Sequence, residues 1–344
     1  MCRFVKHGNV VGIKLNITGG ASKNRASFTS PGVAKKVVQM VRGCGGKPIV
    51  LDSSMIWTDM EPIAQKEGWY DWGKENSVEV VDLHHLPVIP FDFGSDSTIQ
   101  VEKISRLMPD LDVLINVPKL KTHMLTTITV GLKNNYGLLP RADKGVYHAK
   151  DIDTVLAELN KAIPTTLTVV DGMIAGDGEA GPLTPVAIGD YNTIIASNDV
   201  ACADAVASRF MGFDRPSQIR HLKLSGLMGV GDIKCAGRPE VKAEIDRHFG
   251  KHPKDGNFII PDPRVIESLT DFMKVVARTP GGAAVFNNVA DMFLGNASYY
   301  ATGFVQNMLS GFSRMNRRYI GKDTRRNINS LNLHPEDEMD SVLY

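Results

Sequence analysis

The chain has 344 residues, 43% of them hydrophobic, with 39 basic against 38 acidic side chains and a net charge of +1. That is enough chain for one large unit or for two domains of the usual ~100–200 residues. So even a balance excludes general nucleic-acid binding and a polybasic membrane anchor, and the one strongly basic run, RMNRRYIGKDTRR (314–326), reads as a solvated surface patch.

VVGIKLN (10–16) is a short apolar run with β-branched residues, which predicts a strand. After a polar, glycine-rich loop, Ser30-Pro31 supplies an N-cap and a first-turn proline for a helix that runs to Gly43. KPIVLD (47–52) is the second strand, Asp59 opens a helix to about Lys66, and VEVVDL (78–83) is the third strand. His84-His85, followed by Leu86-Pro87, reads as loop, and LDVLINV (111–117) as the fourth strand. A helix is expected from Thr122 to Leu132, and another where Asp151 caps DIDTVLAELNKAI. TLTVVDG (166–172) and NTIIASN (192–198) are strands five and six, and Asp199 caps a helix ending at Gly212. This alternation predicts an α/β fold with a largely parallel sheet flanked by helices, built as one or two units within residues 1–236. From about Gly237 charge and proline content rise. Residues 237–344 read as a mainly helical C-terminal extension with the basic segment and an acidic tail, HPEDEMDSVLY.

Ligands of open α/β sheets bind beyond the carboxyl ends of the strands. The groups standing there are Lys14 and Asn16, Asp52 to Ser54, Lys119, Lys121 and His123, Asp171 with the loop GDGEAGP (176–182), and Ser197 to Asp199. Lys14, Lys119, Lys121 and Lys133, with Asn16 and Asn134 beside them, form a candidate site for a carboxylate or phosphate, because a lysine ammonium is a compact charge. Gly176 and Gly178 allow close backbone approach to a ligand, while Asp171 and Glu179 are candidates for proton transfer. His123 is a candidate acid–base group and His148 a candidate metal ligand. No GxxxxGK[ST], HExxH or GxSxG pattern is present, and no GxGxxG stands at the first strand–helix turn.

Cys2, Cys44, Cys202 and Cys235 are scattered without a CxxC pair. Disulfides and an iron–sulfur cluster bound by this chain are therefore not expected, and the pattern suits a reducing, cytoplasmic setting. No signal peptide or run of ~18 uncharged apolar residues is found, so no transmembrane segment is expected. The most apolar stretch, 281–312, is broken by Asp291 and several Asn, and reads as packed or partner-facing helix.

Taken in order, IKLN (13–16), the helix SPGVAKKVVQMV, IVLDSS (49–54), DVLINVPKLKTH (112–123), TVGLKNNYGLLP (129–140), VVDGMIAGDGEAGP (169–182) and ASNDVACADAVASRFMG (196–212) resemble the bacterial and archaeal domain-of-unknown-function family 362. The resemblance spans about residues 10–232 and implies an iron–sulfur association, although the ferredoxin-like cysteine motifs of many relatives are not in this chain. In layout, the middle of the chain is also similar to the N-terminal domain of the nickel-pincer lactate racemase. That likeness implies His123 as a proton-transfer base, Lys133 as a covalent cofactor anchor and His148 as a ligand to nickel or another transition metal. It implies His84 or His85 in the place of a second histidine. The loop GLKNNYG departs from the racemase's glycine-rich loop. Two readings result. One is an enzyme, an oxidoreductase or racemase-like isomerase, acting on a small anionic substrate. The other is an accessory or electron-transfer partner of an iron–sulfur protein. A homo-oligomer is compatible with both.

Overall fold

The computed structural model describes residues 1–17, 26–54, 59–99, 103–123, 125–140, 144, 147, 151–177, 186–188, 191–213 and 215–251. The strands are β1 (Val10–Lys14), β2 (Lys47–Asp52), β3 (Glu79–Asp82), β4 (Val88–Pro90), β5 (Lys103–Ser105), β6 (Val113–Asn116), β7 (Lys119–His123), β8 (Thr127–Thr129), β9 (Leu167–Asp177), β10 (Val186–Ile188) and β11 (Thr193–Ser197). The helices are α1 (Pro31–Gly43), α2 (Met60–Lys66), α3 (Trp69–Glu75), α4 (Gly131–Asn134), α5 (Ile152–Ala162), α6 (Val200–Phe210), α7 (Arg220–Leu227) and α8 (Pro239–Lys251). The predicted helices past residue 251 lie outside the described residues.

The main sheet runs β3-β2-β1-β6-β9-β7-β8, and β10 and β11 also pair with β9. From β3 to β9 every pairing is parallel, as the strand–helix alternation predicts. β11 departs from this. It lies antiparallel on β9, with Ser197 opposite Thr168, which itself pairs with Asn116 at the carboxyl end of β6. Asp199 caps its helix as expected, accepting from the Cys202 amide, and also accepts from the Asp232 amide.

The expected helix from Thr122 to Leu132 is replaced by the β7–β8 hairpin and the short α4. Alternation explains why: Lys119, Lys121 and His123 share one face of β7, while Leu120 turns to the other and enters the core around Ile128 and Val170. β6 and β7 keep one constant offset against β9 from Ile115 to Lys119, so they are one strand interrupted at Val117-Pro118. Proline has no N–H to give, but its carbonyl accepts from the Asp171 amide. Between Lys119 and Lys121 the register slips, and such a bulge re-aims the side chains that follow it.

Apolar layers cover both faces. α1 buries Ala34, Val37, Val38 and Val41, at helical spacing, against Val11, Ile13 and Ile115. Each such valine contributes about 1.5–3 kcal/mol. On the other face Leu156 and Leu159 of α5 pack with Leu51 and Leu114. Pro31 starts α1 as expected, but the Ser30 side chain makes no cap; its hydroxyl accepts from Lys119 and its amide donates to Asp171.

The cysteine expectation is overturned. Cys2 pairs with Cys44 and Cys202 with Cys235, with Cα atoms 5.1 and 5.8 Å apart. The partners are 42 and 33 residues apart in sequence, beyond the reach of any local motif, and the inference of a reducing compartment from scattered cysteines loses its footing. Among the described residues no helix is long and apolar enough to cross a membrane.

Candidate functional site

β1 has β2 on one side and β6 on the other, so the chain leaves it in opposite directions and opens a crevice beyond the carboxyl ends. Lys14 ends β1, Asp52 ends β2 and Asn116 ends β6. The β6–β7 continuation carries Lys119 and Lys121 into the same region, where both are buried.

Burying an ammonium costs several kcal/mol unless partners replace water. Lys14 Nζ lies 2.6 Å from Asp52 Oδ1 and also donates to the Leu15 carbonyl and, at 3.4 Å, to Asn134 Oδ1. Burial pushes the Asp52 carboxyl up, but Lys14 and the amides of Ile17 and Ser53 outweigh it and hold it below the usual carboxylate range. Lys119 Nζ sits 3.0 Å from Asp171 Oδ2. Burial pulls this lysine down against the attraction of Asp171. Lys121 differs from both, because its ammonium is held by neutral oxygens, Asn16 Oδ1 at 2.7 Å and the Ser27 carbonyl at 2.8 Å. Burial, then Lys119, Lys133 and Lys14, lower it to about 7, with Asp52 opposing.

The segment GLKNNYG (131–137) is used residue by residue. The amides of Gly131 and Leu132 donate to Asp204 Oδ1 and Oδ2 at 2.7 and 2.9 Å. Lys133, the least buried lysine of the cluster, sits with Nζ 4.3 Å from the Tyr136 ring centroid. Burial, Lys144 and Lys14 lower it to about 7, with Asp153 opposing. Asn134 Oδ1 accepts from Asn16 and Lys14, while its amide donates to Asn116 Oδ1 at 2.7 Å. Asn135 anchors the turn to Asn160 and Thr165. Gly137 lies against the Lys14–Asp52 pair, where a Cβ would come 2.6 Å from Lys14 Cε.

The geometry thus brings together Lys14, Asn16, Lys119, Lys121, Lys133, Asn134 and Asp171. Asp171 Oδ1 also accepts from the Met173 amide, which makes its carboxylate a well-anchored counter-ion. His123 is buried at the hairpin, with Nδ1 accepting from the Leu125 and Thr126 amides. The neutral ring then carries its proton on Nε2. Thr127, paired with His123, has φ 64°, a left-handed conformation costly for a β-branched residue. Gly176 is in strand, opposite Lys121, rather than in a loop. Gly178, Glu179 and His148 lie outside the described residues.

Sequence reasoning missed Lys144, whose ammonium meets the Ser53 hydroxyl and, at 2.8 Å, the Ser54 carbonyl. It missed Asn116, which the sequence does signal as a polar end to an apolar strand, and whose amide donates to the Gly131 carbonyl. It assigned no site role to Asp204, which is buried; burial raises it to about 7 against the two amides it accepts from. It also treated His85 as loop, although a 3-10 turn (Leu83–His85) sets it near Asp82 and Asp59.

Amines that titrate near neutrality can hold an anion when charged and exchange protons when neutral. The match to known proteins runs through these same segments. A family model described as "Domain of unknown function (DUF362)" matches residues 11–209. The thylakoid-associated protein sll1697 of Synechocystis sp. is 32% identical over 243 residues, 67% of this chain and 71% of that protein.

Proposed function

The chain belongs to the DUF362 family, and for it we propose an enzyme that binds a small carboxylate or phosphorylated substrate at the lysine cluster. The observation that carries this reading is the pair Lys121 and Lys133. Both are amines within a group of buried cations, and their contacts are neutral oxygens and an aromatic ring. An anion placed among them supplies the missing countercharge. Their values near 7 also match the optimum for proton transfer, which favours racemase-like or redox chemistry next to an ionised substrate group. Lys133, the more accessible, is the candidate anchor for a cofactor.

Titration calorimetry with inorganic phosphate and with lactate, against glycerol as neutral control, tests the reading. Lys121→Met should weaken the anions about tenfold or more and leave glycerol unchanged. Equal anion affinity in wild type, Lys121→Met and Lys133→Met would remove the proposal.

The second reading is an accessory protein docked on a redox partner, in which an iron–sulfur protein supplies the chemistry. The name of the Synechocystis relative, a thylakoid-associated protein, favours it. Stable co-purification with an iron–sulfur protein and no anion binding would select it. A cytoplasmic location belongs to the proposal as well. Alkylation in fresh lysate tests it: capture of the four cysteines as thiols would support it, and intact Cys2–Cys44 and Cys202–Cys235 bridges would place the protein in an oxidising compartment.

A further inference from the structure

A second cluster lies one residue beyond the lysine site. The carboxyl end of β2 delivers Ser53 toward Lys144, while Ser54 turns away and bridges two carboxylates, with its hydroxyl 2.7 Å from Asp59 Oδ1 and 2.9 Å from Asp82 Oδ2. The 3-10 turn after β3 then places His85 Nε2 at 3.6 Å from Asp82 Oδ2 and 3.7 Å from both Asp59 Oδ1 and Glu61 Oε2.

From this arrangement we infer that Asp59, Asp82 and His85, with Glu61 at the rim, form a binding site for a divalent transition-metal ion of the zinc or manganese class. The His85 distances are too long for hydrogen bonds. They are close to the roughly 3.3–3.5 Å that separates donors about 2.1 Å from a shared tetrahedral ion. The donor atoms of Asp59, Asp82 and His85 all lie within 4.8 Å of one another. Carboxylate oxygens with one imidazole nitrogen suit zinc or manganese better than soft, thiolate-preferring ions.

Asp82 is buried and oriented, its Oδ1 accepting from the Ser54 and His84 amides. Such outer contacts are what fix a ligand's lone pairs. His85 and Glu61 are exposed and leave a route for the ion. This site is separate from the anion site, sharing with it only the Ser53-Ser54 step.

The test is titration of the metal-stripped full-length chain with Zn2+ alone and with Mn2+ alone. His85→Ala is the first variant, because its side chain is half exposed and its loss spares the fold. One ion should bind per chain, with affinity lowered about 10–100-fold in His85→Ala and in Glu61→Gln by a smaller factor. Co2+ substitution should give visible absorption bands that His85→Ala abolishes. No binding of either ion at millimolar concentration, or binding that His85→Ala leaves unchanged, overturns the inference. Lys121→Met should bind the ion like wild type, so failure of the anion site and failure of this one are read separately.

Discussion

At the scale of single residues, the lysine cluster depends on how closely uncharged groups approach it. Gly137 is the sharpest case. A methyl group there would stand 2.6 Å from Lys14 Cε, 2.8 Å from Nζ and 3.2 Å from Asp52 Oδ1. The end of a lysine is normally free to swing aside, but this one is buried and tied to Asp52, Leu15 and Asn134. Gly137→Ala should therefore cost about 2–4 kcal/mol in urea unfolding, within the range for disturbing a buried ion pair. Unfolding within about 0.5 kcal/mol of wild type would show that Lys14 has room to move. The sequence made Lys14, Asn16, Lys119 and Lys121 legible because polar groups directly after apolar strands have few reasons to be there. Lys144 carried no such signal. Its place is set by the Tyr136 hydroxyl on its own carbonyl and by Ser53, which directly follows β2.

At the scale of elements, the positioning of Lys133 and Asn134 falls to a helix of only four residues. So short a helix has no stability of its own. It is held from outside, by Asp204 of α6 on the Gly131 and Leu132 amides and by Asn160 of α5 on the Leu132 carbonyl. Asp204→Ala leaves two buried N–H groups without acceptors, a cost of about 2–3 kcal/mol. It should also weaken phosphate binding although Asp204 touches no proposed ligand, because α4 would lose its orientation. Calorimetry and urea unfolding on the same variant check both, and Asp204→Asn, which keeps one acceptor, should fall between. Normal phosphate affinity in a destabilised Asp204→Ala protein would detach the α4 geometry from binding. Strands β1, β2 and β3 and helices α1, α2, α5 and α6 were readable because each carries its own period, cap or proline. The hairpin Lys119–Thr129 was not, because its extended form is set by pairing with β9, a partner some fifty residues away. Antiparallel β11 was hidden for the same reason: its apolar run looks alike in either direction.

For the whole molecule, the buried lysines tie folding, ligand and pH together. Lys121 and Lys133 titrate near 7 in the folded chain, against 10.5 as ordinary lysines. Below pH 7 both are charged in the folded and unfolded states, and the fold bears the full burial cost. Between about pH 7 and 10.5 the unfolded chain binds more protons, so stability rises with pH, by up to about 1.4 kcal/mol per pH unit for each lysine. Asp204, raised to about 7, works the other way and only below that point: ionising it in the fold costs stability as pH climbs from the usual carboxylate range, and it adds no slope above 7. An anion bound among the lysines reverses their logic. It favours the charged amines, returns their values toward the ordinary one, and takes up protons when it binds above pH 7. Two consequences are measurable on the unmodified protein. Saturating phosphate should flatten the rise of urea stability between about pH 7 and 9.5, and phosphate affinity should fall up to tenfold per pH unit for each proton taken up. Calorimetry in two buffers of different ionisation enthalpy counts those protons directly. Uptake between zero and two per phosphate at pH 8, reduced in Lys121→Met, is expected. Binding without proton uptake would mean that the anion meets lysines already charged, and would take the acid–base role away from Lys121 and Lys133 while leaving the anion site itself in place.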